Sequence, residues 1–414
     1  MSKVARSSGS RALVVCQEPP WPTSHGARVD IWNRYDGLVR EGWSVGLICW
    51  RDGAQTQADA DAGFNGVFEQ VWVLDKPKTP AARLARLARL SYLPSLAAAL
   101  YPPQDKMVAL VAQVRAFAPD LLVADSVHMA DFTRRLARTL DIPVVVRSHN
   151  VEHDYMAIQY RLAGSWRSRL SIAAARLHLK TFEIQALKTA DHVLEISKDA
   201  LPFWKNLGVE RIDWVPTFVP SLERVQLEPL PWAERRYDAV YLGNLWSPNN
   251  VAAVRWIVDE VMPHVRKVTP EYVMLIAGSN PSPEFQTYLA EAENVEWIAN
   301  PEDAAAIRAQ GRVLVNPILE GSGLNTKSVE MLFFDSPLVM TPFAADGMDA
   351  DSQACFHLTA EPERFAALMT DLAKAQFVVD QARTEARARF GQGGAGRLST
   401  ILRDVVADKQ HMFQ

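Results

Sequence analysis

Cysteine is scarce in this chain of 414 residues, and its three cysteines, Cys16, Cys49 and Cys355, lie far apart without a CxxC pair. Disulfide frameworks and structural zinc sites need cysteines that are numerous or closely spaced. The distribution therefore argues against both and favours a reducing compartment. A run of about 18 uncharged apolar residues is also missing, so we expect no membrane span. No apolar segment follows the polar start, and we expect no secretory signal.

An excess of positive charge is absent as well. The net charge is −4, so no bulk positive field predicts a nucleic-acid partner. The apolar and charged fractions, 48% and 22%, are ordinary for a globular protein and exclude a fibrous or disordered chain. The length exceeds that of one ordinary core, so two domains of about 200 residues are expected.

Short apolar runs alternate with longer helical patterns, and the series occurs twice. Buried β-branched runs separated by helices form parallel strands, so the chain is predicted to be α/β, with two Rossmann-like, doubly wound domains. Strands are expected at residues 11–16, 45–50, 71–74, 121–124 and 144–147, then at 237–243, 272–278, 295–297, 313–316 and 338–341. Helices are expected at 29–41 and 251–268.

A proline-rich stretch with little periodicity, between Pro216 and Pro231, separates the two series. Prolines interrupt regular structure, so we interpret it as an interdomain linker. The predicted division is an N-terminal domain at 1–222, a linker at 223–236, a C-terminal domain at 237–390 and a helical segment at 391–414, a candidate to pack back on the first domain. Ligands of open parallel sheets bind at the carboxyl ends of the strands, which predicts a cleft between the domains.

A loop rich in proline and glycine follows the first strand and leads through Gly26 to Arg28 and a helix. Gly26 would let the backbone approach a ligand closely, and a helix N-terminus favours an anion. A plain connection between strand and helix explains the loop equally well.

The run RSHNVE at 147–152 follows a buried strand. A lone histidine is more often structural than catalytic. His149, however, lies at a strand end between an arginine, Asn150 and Glu152, which favours a functional site.

The run EGSGLNTKSVE at 320–330 links a strand to a helix that starts near Asn325. Exposed amides there can hold a diphosphate, and Lys327 adds positive charge. Glu330 lies one helical turn beyond Lys327 on the same face, where its carboxylate could accept hydrogen bonds from a ribose diol. The alternative is a glycine-rich turn with a surface Lys–Glu pair.

These three stretches together resemble the family-4 retaining glycosyltransferases, in particular the bacterial exopolysaccharide and cell-surface sugar transferases of that family. Further matching pieces occur in the family's order along most of the chain: Pro119-Asp120, Glu183, the run ADHV at 190–193, Ser197, LGNLWSPNN at 242–250, Pro263, IAGSNP at 276–281, Pro337 and Gly347. The resemblance implies a GT-B fold, with two Rossmann-like domains that face a cleft.

The resemblance also implies a mechanism. A nucleotide diphosphate sugar of UDP or GDP type binds mostly to the second domain and a glycan or lipid-linked acceptor mostly to the first, and the new bond retains the anomeric configuration by a front-face mechanism. Expected catalytic residues are His149, Lys327 and Arg28, and expected acceptor-binding residues are Asn150 and Glu152. The expected donor-binding residues are Gly26, Asn244, Gly321, Ser322, Gly323, Leu324, Asn325, Lys327 and Glu330.

Two features depart from the broader family. Its two motif glutamates are separated by seven residues, whereas Glu320 and Glu330 are separated by nine, as in a subgroup with a GSG…K…E run. The family's Arg and Lys after the first strand of domain two are replaced by Asn244 and the uncharged WSPNN run. The positive charge at the diphosphate must then come from elsewhere, from Lys327 first and from Arg147 second.

Two DxD runs, 59–61 and 349–351, match the metal motif of the other major glycosyltransferase fold. Both are expected to be chance matches in acidic loops. We therefore expect no metal and no other cofactor.

The segment 81–100 reads as a basic amphipathic helix with Arg83, Arg86 and Arg89 every three residues, stopped near Pro94. A second basic stretch covers 161–180. Either could be a solvated helix face. As a pair in the expected acceptor domain, they favour docking on an anionic membrane surface, with the protein in the cytoplasm and peripheral at the inner face of the cytoplasmic membrane.

Two other functions share the predicted architecture. A nucleotide-sugar 2-epimerase has the same two domains, but the HNVE and GSG…K…E runs fit it poorly. A catalytically silent binding protein would explain the missing Arg and Lys near Asn244.

Overall fold

The computed structural model describes residues 9–22, 26–51, 57–76, 79–163, 165–224, 230–320 and 323–411. The chain forms two compact units, one of residues 1–216 with 394–414 and one of residues 217–393. Of the expected linker, residues 225–229 lie outside the described ranges, and a short 3₁₀ turn covers Trp232–Glu234. Within the described residues, no helix is both long and apolar enough to span a bilayer.

The first unit is built on a seven-stranded sheet in which every neighbouring pair is parallel, in the order β3-β2-β1-β4-β5-β6-β7. Its central strands consist almost entirely of buried apolar residues, as expected for a sheet covered by helices on both faces. The strands are β1 Arg11–Val15, β2 Ser44–Trp50, β3 Gln70–Leu74, β4 Leu121–Ala124, β5 Val144–Ser148, β6 His192–Glu195 and β7 Ile212–Trp214.

Helices alternate with these strands, and a last long helix returns from the second unit. They are α1 Gly26–Arg40, α2 Gln57–Asp61, α3 Gly63–Gly66, α4 Pro80–Arg89, α5 Ser95–Ala99, α6 Gln104–Phe117, α7 Ala130–Leu140, α8 Glu152–Leu162, α9 Trp166–Arg176, α10 Leu179–Lys188, α11 Ala200–Asn206 and, numbered last along the chain, α21 Gln392–His411. The core packs Trp50 and Phe132 edge to face, with ring centroids 5.1 Å apart.

The second unit has a six-stranded, all-parallel sheet in the order β10-β9-β8-β11-β12-β13. The strands are β8 Tyr237–Asn244, β9 Met274–Ser279, β10 Val295–Ala299, β11 Gly311–Asn316, β12 Leu338–Met340 and β13 His357–Leu358. Its helices are α12 Pro220–Arg224, α13 Pro248–Trp256, α14 Met262–Val268, α15 Pro283–Glu291, α16 Ala304–Ala309, α17 Thr326–Met331, α18 Ala350–Gln353, α19 Pro362–Leu372 and α20 Gln381–Phe390.

The α/β class with two doubly wound parallel sheets is therefore confirmed. The helix expected at 251–268 is interrupted by a π turn at Ile257–Val261. Pro263 follows at the start of α14 and has no N–H to donate, which explains why the regular hydrogen-bond pattern breaks there. The expected basic helix at 81–100 is two helices, because α4 ends at Arg89 and α5 begins only after Pro94.

Candidate active site

Lys327 lies in the first turn of α17, directly after the glycine-rich run. Gly323 has a φ of +72°, a left-handed backbone that favours glycine, and it turns the chain into the helix. Asn325 caps the helix, its Oδ1 accepting from the Lys327 N–H at 3.2 Å. Leu324 is buried between them. Gly321 and Ser322, expected to bind the donor, lie outside the described residues.

The Lys327 ammonium is held at the carboxyl end of β8. Its Nζ donates to Asn250 Oδ1 at 2.7 Å and to the Tyr241 hydroxyl at 3.2 Å. It also lies over the Tyr241 ring, 5.1 Å from the centroid. A lysine held by three such contacts loses the rotamer freedom of a surface lysine, and its charge is fixed in one place.

Two asparagine side chains, those of Asn244 and Asn250, hold the loop after β8 in place. Asn244 Oδ1 accepts from the Trp246 N–H at 3.0 Å, and Asn250 Nδ2 donates to the Asn244 carbonyl at 2.8 Å. Asn250 therefore joins the loop to Lys327. The family's cations are missing from this loop, yet the structure brings the Lys327 charge to it from another element.

Two paired glycines, Gly243 and Gly278, lie at the ends of β8 and β9. A Cβ on Gly278 would lie 1.8 Å from the Gly243 carbonyl oxygen, which no side chain could tolerate. A Cβ on Gly243 would lie 2.6 Å from the Tyr241 hydroxyl oxygen and 3.3 Å from Lys327 Nζ. These positions therefore keep the backbone beside the ammonium bare.

The environment of Lys327 makes its charge adjustable. Loss of hydration and repulsion from Arg308 lower the pKa of Lys327 to about 7, against the opposing attraction of Glu330. An anion placed beside the ammonium would favour the protonated form. The site is thus suited to a group with negative charge.

Glu330 is on the same face of α17 as Lys327 but is engaged by Arg308 of α16. Glu330 Oε2 accepts from an Arg308 Nη at 2.5 Å, and the two side chains are 17% and 7% exposed. One oxygen of the carboxylate is thus fixed and partly buried. A ribose would have to share this carboxylate with Arg308.

Among the described residues, no group of three or more His, Cys, Asp or Glu side chains is arranged to hold a metal ion. The run 349–351 was expected in a loop, but it spans the start of α18. Asp349 Oδ1 caps that helix by accepting from the Ser352 N–H at 2.8 Å. Both Asp349 oxygens also accept from Arg389, at 2.7 and 2.6 Å. The other run, 59–61, forms part of α2 rather than a loop.

In the first unit, His149 follows β5 and meets Asp125, which follows the neighbouring strand β4. His149 Nε2 lies 3.2 Å from Asp125 Oδ1 and 3.3 Å from the Asp125 carbonyl oxygen. Both partners are acceptors, so Nε2 carries a proton. Nδ1 lies 3.7 Å from Asp30 Oδ2 of α1. The imidazole, 25% exposed, is thereby oriented on both sides by carboxylates.

Arginines neutralise these carboxylates from inside the unit. Arg34 donates to Asp125 Oδ1 at 2.6 Å and also pairs with Asp30, one turn before it on α1. Burial by itself raises the pKa of Asp125, but the Arg34 charge and the His149 hydrogen bond hold it well below its usual range. Asp125 is thus an anion beneath His149.

Arg147 is the second guanidinium of this cluster and has no exposed surface. It donates to the Val215 carbonyl, and one Nη lies 3.8 Å from Asp30 Oδ2. Burial and repulsion from Arg34 lower the pKa of Arg147 well below its usual range. Because Arg147 is fully buried, it is better placed to hold the cluster together than to contact a diphosphate.

Arg28 lies in the first turn of α1, which begins at Gly26, and its Nη2 donates to Glu18 Oε2 at 2.8 Å. Its side chain is only 9% exposed. The Glu18 contact orients the guanidinium and reduces the net positive charge that it presents.

Asn150 and Glu152 begin the turn into α8. The Asn150 carbonyl accepts from the Ser148 hydroxyl at 3.3 Å, and Glu152 Oε1 lies 3.4 Å from His128 Nε2. The buried carboxylate of Glu183 accepts from the Glu152 N–H at 2.7 Å and from the His153 N–H at 3.0 Å. Glu183 thus caps the helix that follows the His149 run.

Sequence reasoning missed several residues of these two clusters. Asp30 and Arg34 read as the polar face of a helix, and Asp125 as the residue after a strand. From the sequence alone, Tyr241 resembles an ordinary core residue and Asn250 an ordinary loop residue. A signal did exist for Asp125, because charged residues after neighbouring parallel strands converge at one sheet edge.

Comparison with known proteins identifies this pair of units. A family model described as a glycosyl transferase 4-like domain matches residues 25–217, and one described as glycosyl transferases group 1 matches residues 236–375. The chain belongs to the family-4 glycosyltransferases. It is therefore a glycosyltransferase.

The glycosyltransferase is similar to a Klebsiella pneumoniae protein described as an uncharacterized 44.6 kDa protein in the cps region. The two are 23% identical over 349 residues, 82% of this chain and 84% of the relative.

Solved structures with the same fold include Anabaena Alr3699/HepE in complex with UDP and glucose. It has a TM-score of 0.56 and 15% identity, over 95% of this chain and 99% of that one. Sucrose-phosphate synthase of Thermosynechococcus elongatus has a TM-score of 0.61 and 14% identity, over 96% and 100% of the chains. At these identities the likeness is one of fold, and it agrees with the GT-B architecture of the glycosyltransferase.

Proposed function

We propose that this enzyme is a retaining glycosyltransferase that moves a hexose from a nucleotide diphosphate sugar, of UDP or GDP type, to a glycan or lipid-linked acceptor. In a front-face reaction, the acceptor oxygen bonds to the anomeric carbon on the face from which the diphosphate leaves. The bond from the anomeric carbon to the phosphate oxygen breaks, and its electron pair goes to that oxygen, which takes the acceptor proton.

One observation carries the proposal: Lys327 Nζ is fixed by Asn250 and Tyr241 at the end of β8, beside Gly243 and within the first turn of α17. A fixed cation close to bare backbone stabilises the negative charge that develops on a leaving diphosphate. The UDP complexes of Alr3699/HepE support a nucleotide donor for this fold. Arg28 and the amides of 322–324 are proposed to assist, and Glu330 is proposed to hold the ribose.

His149 is proposed to contact the donor sugar and phosphate, and Asn150 and Glu152 the acceptor. The cps-region relative supports a place in cell-surface polysaccharide or glycolipid synthesis. We propose that the enzyme works in the cytoplasm, at the inner face of the cytoplasmic membrane. Arg83, Arg86 and Arg89 of α4 would face that anionic surface.

A thermal-shift screen with UDP, GDP, dTDP and their sugars tests the donor. We expect one diphosphate series to raise the melting temperature, and Lys327→Met to lose that rise while Lys267→Met, an exposed lysine on α14, keeps it. Incubation of the responding sugar nucleotide with candidate acceptors, followed by NMR of the anomeric proton, then tests transfer with retention. Conversion of the donor sugar without an acceptor would instead indicate an epimerase, and nucleotide binding without any turnover would indicate a silent binding protein.

We also propose that transfer needs no metal, since Asp349 is already committed to α18 and Arg389. Turnover should be unchanged by EDTA. Loss of turnover in EDTA with recovery in Mg²⁺ or Mn²⁺ would contradict metal independence.

A further inference from the structure

A groove of about 590 Å³ lies between α8, α9 and α10 of the first unit, in the size range of small-molecule sites. It is lined by His153, Asp154, Ala157, Tyr160, Ala173, Arg176, Leu177 and Lys180. None of these residues belongs to the His149 or Lys327 clusters. The groove does start on the helix that follows the His149 run directly.

One side of the groove is apolar. Ala157 of α8 faces it together with Ala173 and Leu177, and Leu177 is 56% exposed. The Arg176 guanidinium lies 5.5 Å from the centroid of the Tyr160 ring, so the ring forms a flat wall beside a cation. Exposed alanine and leucine side chains beside a basic residue are suited to an apolar chain with an anionic head.

The charges of the groove are predominantly positive. Arg176 and Lys180 are exposed, and the opposing carboxylate is Asp154, whose Oδ1 lies 3.8 Å from His153 Nε2. His153 Nδ1 in turn lies 2.6 Å from the buried Glu183 carboxylate. Arg176 and Lys180 thus place two positive charges against the single carboxylate of Asp154, which leaves the groove suited to an anion.

The groove opens beside helix α9, whose side chains are mostly exposed. Helix α9 has no buried residue, and Trp166 and Leu170 are 68% and 61% exposed. Residues 155–182 contain five Lys and Arg and no Asp or Glu, and the same holds for residues 76–104 around α4 and α5. The two segments meet, because α5 packs against both α4 and α9. Exposed apolar side chains on two segments that carry only basic charges are typical of contact with an anionic bilayer.

We propose that this groove binds an anionic amphiphile of the membrane, with a phosphate or diphosphate between Arg176 and Lys180 and an apolar chain along Ala157, Ala173 and Leu177. The identification of this amphiphile as the sugar acceptor rests on the proposed function. The groove itself is a binding site whether or not transfer occurs.

Binding of farnesyl diphosphate to the full-length protein, measured by calorimetry, tests the site. We expect the double variant Arg176→Gln/Lys180→Gln to bind it at least about tenfold more weakly, since two charge-assisted contacts are lost. Ala173→Trp, which fills the groove but keeps its charges, should also weaken binding. The double variant Lys106→Gln/Lys205→Gln loses the same charge from exposed positions outside the groove and should bind as the unaltered protein does.

Inorganic diphosphate and farnesol separate the two parts of the ligand. Each should bind more weakly than farnesyl diphosphate. If diphosphate bound as tightly as farnesyl diphosphate, the site would be a simple anion site. If farnesol bound as tightly, the site would be only an apolar groove. Either result overturns the proposal. Unchanged binding in both groove variants overturns it as well. Farnesyl diphosphate binding without nucleotide-sugar turnover would leave the site standing and refute the proposed function.

Discussion

The charge of Lys327 depends on its surroundings. With its pKa lowered to about 7, the amine is half neutral near that pH, and the proposed diphosphate beside it would favour the charged form. Without a ligand, the Lys327 amine keeps its proton to a higher pH in the unfolded chain than in the folded protein. The stability contribution of this lysine therefore rises with pH above about 7.

We expect the affinity for UDP, or for the matching diphosphate, to fall on the order of 50-fold between pH 7 and pH 9. A falling fraction of the protein then carries the binding-competent ammonium. Calorimetry at pH 8 in two buffers of different ionisation heat should show proton uptake on binding. Lys327→Met should bind weakly, with no uptake, and Lys267→Met should behave as the unaltered protein. Proton uptake that persists in Lys327→Met would contradict this role.

Glu330 pairs with Arg308, and it is also the residue proposed to hold the ribose. Glu330→Ala removes the counterion of the 7%-exposed Arg308 side chain, and we expect a loss of about 3 kcal/mol of unfolding free energy. Glu330→Gln keeps an acceptor for Arg308, so it should unfold nearer the unaltered protein and still bind nucleotide several-fold more weakly. Denaturant titration and UDP titration measure the two effects separately. Unaltered UDP affinity in Glu330→Gln would exclude a ribose contact.

Asp125 positions His149 and balances Arg34. We expect Asp125→Asn to lower turnover on the order of 100-fold with little change in donor KM, because the neutral amide no longer fixes the imidazole by a charged hydrogen bond. The ¹⁵N shifts of His149 should show a change in the protonated nitrogen. Asp36→Asn, at the surface pair with Arg40, is the matched control. An unchanged His149 spectrum would show that Asp125 acts on the fold alone.

The sequence allowed only part of these contacts to be predicted. Lys327 and Glu330 were expected on one helix face because they are three residues apart. The partners Asn250 and Tyr241 are 77 and 86 residues from Lys327, and only the sheet order brings them together. The roles of the site residues themselves stay predictions until variants are measured.

At the scale of elements, apolar runs in the sequence predicted most strands to within a few residues of their observed positions. Strands β6, β7 and β13 were missed because HVLE, IDW and HL are short and carry polar residues at or beside their apolar positions. Their places at one edge of each sheet come from pairing with a neighbour, which is a long-range property. The break between α4 and α5 was expected at Pro94 but occurs at Arg89, where Arg86 and Arg89 donate to carbonyls of α5.

Substitutions in helix α4 can test membrane binding without disturbing the fold. Arg86 and Arg89 connect α4 to α5, whereas Leu84 and Leu87 are 70% and 63% exposed. We expect Leu84→Gln/Leu87→Gln to reduce sedimentation with anionic liposomes several-fold without loss of stability, because both side chains are mostly exposed to solvent. Val268→Gln, 65% exposed in the second unit, is the control. Equal sedimentation of both variants would argue against docking through α4.

At the scale of the whole molecule, the division into two parallel-sheet units follows from the doubled pattern of strands and helices. The family followed from short runs distributed along most of the chain, and family models match both halves. Donor base, sugar and acceptor could not be predicted, because such selectivity depends on a few contacts that any GT-B sequence can place on different residues.

The acid-free segments 76–104 and 155–182 have one more consequence. They carry ten positive charges, and removing these from the net charge of −4 leaves −14 for the rest of the chain. A protein divided in this way behaves as a patchy, dipolar particle rather than a weakly acidic one. At neutral pH and low salt it should be retained by both anion-exchange and cation-exchange resins, and it would reach an acidic surface already oriented, with its basic patch leading.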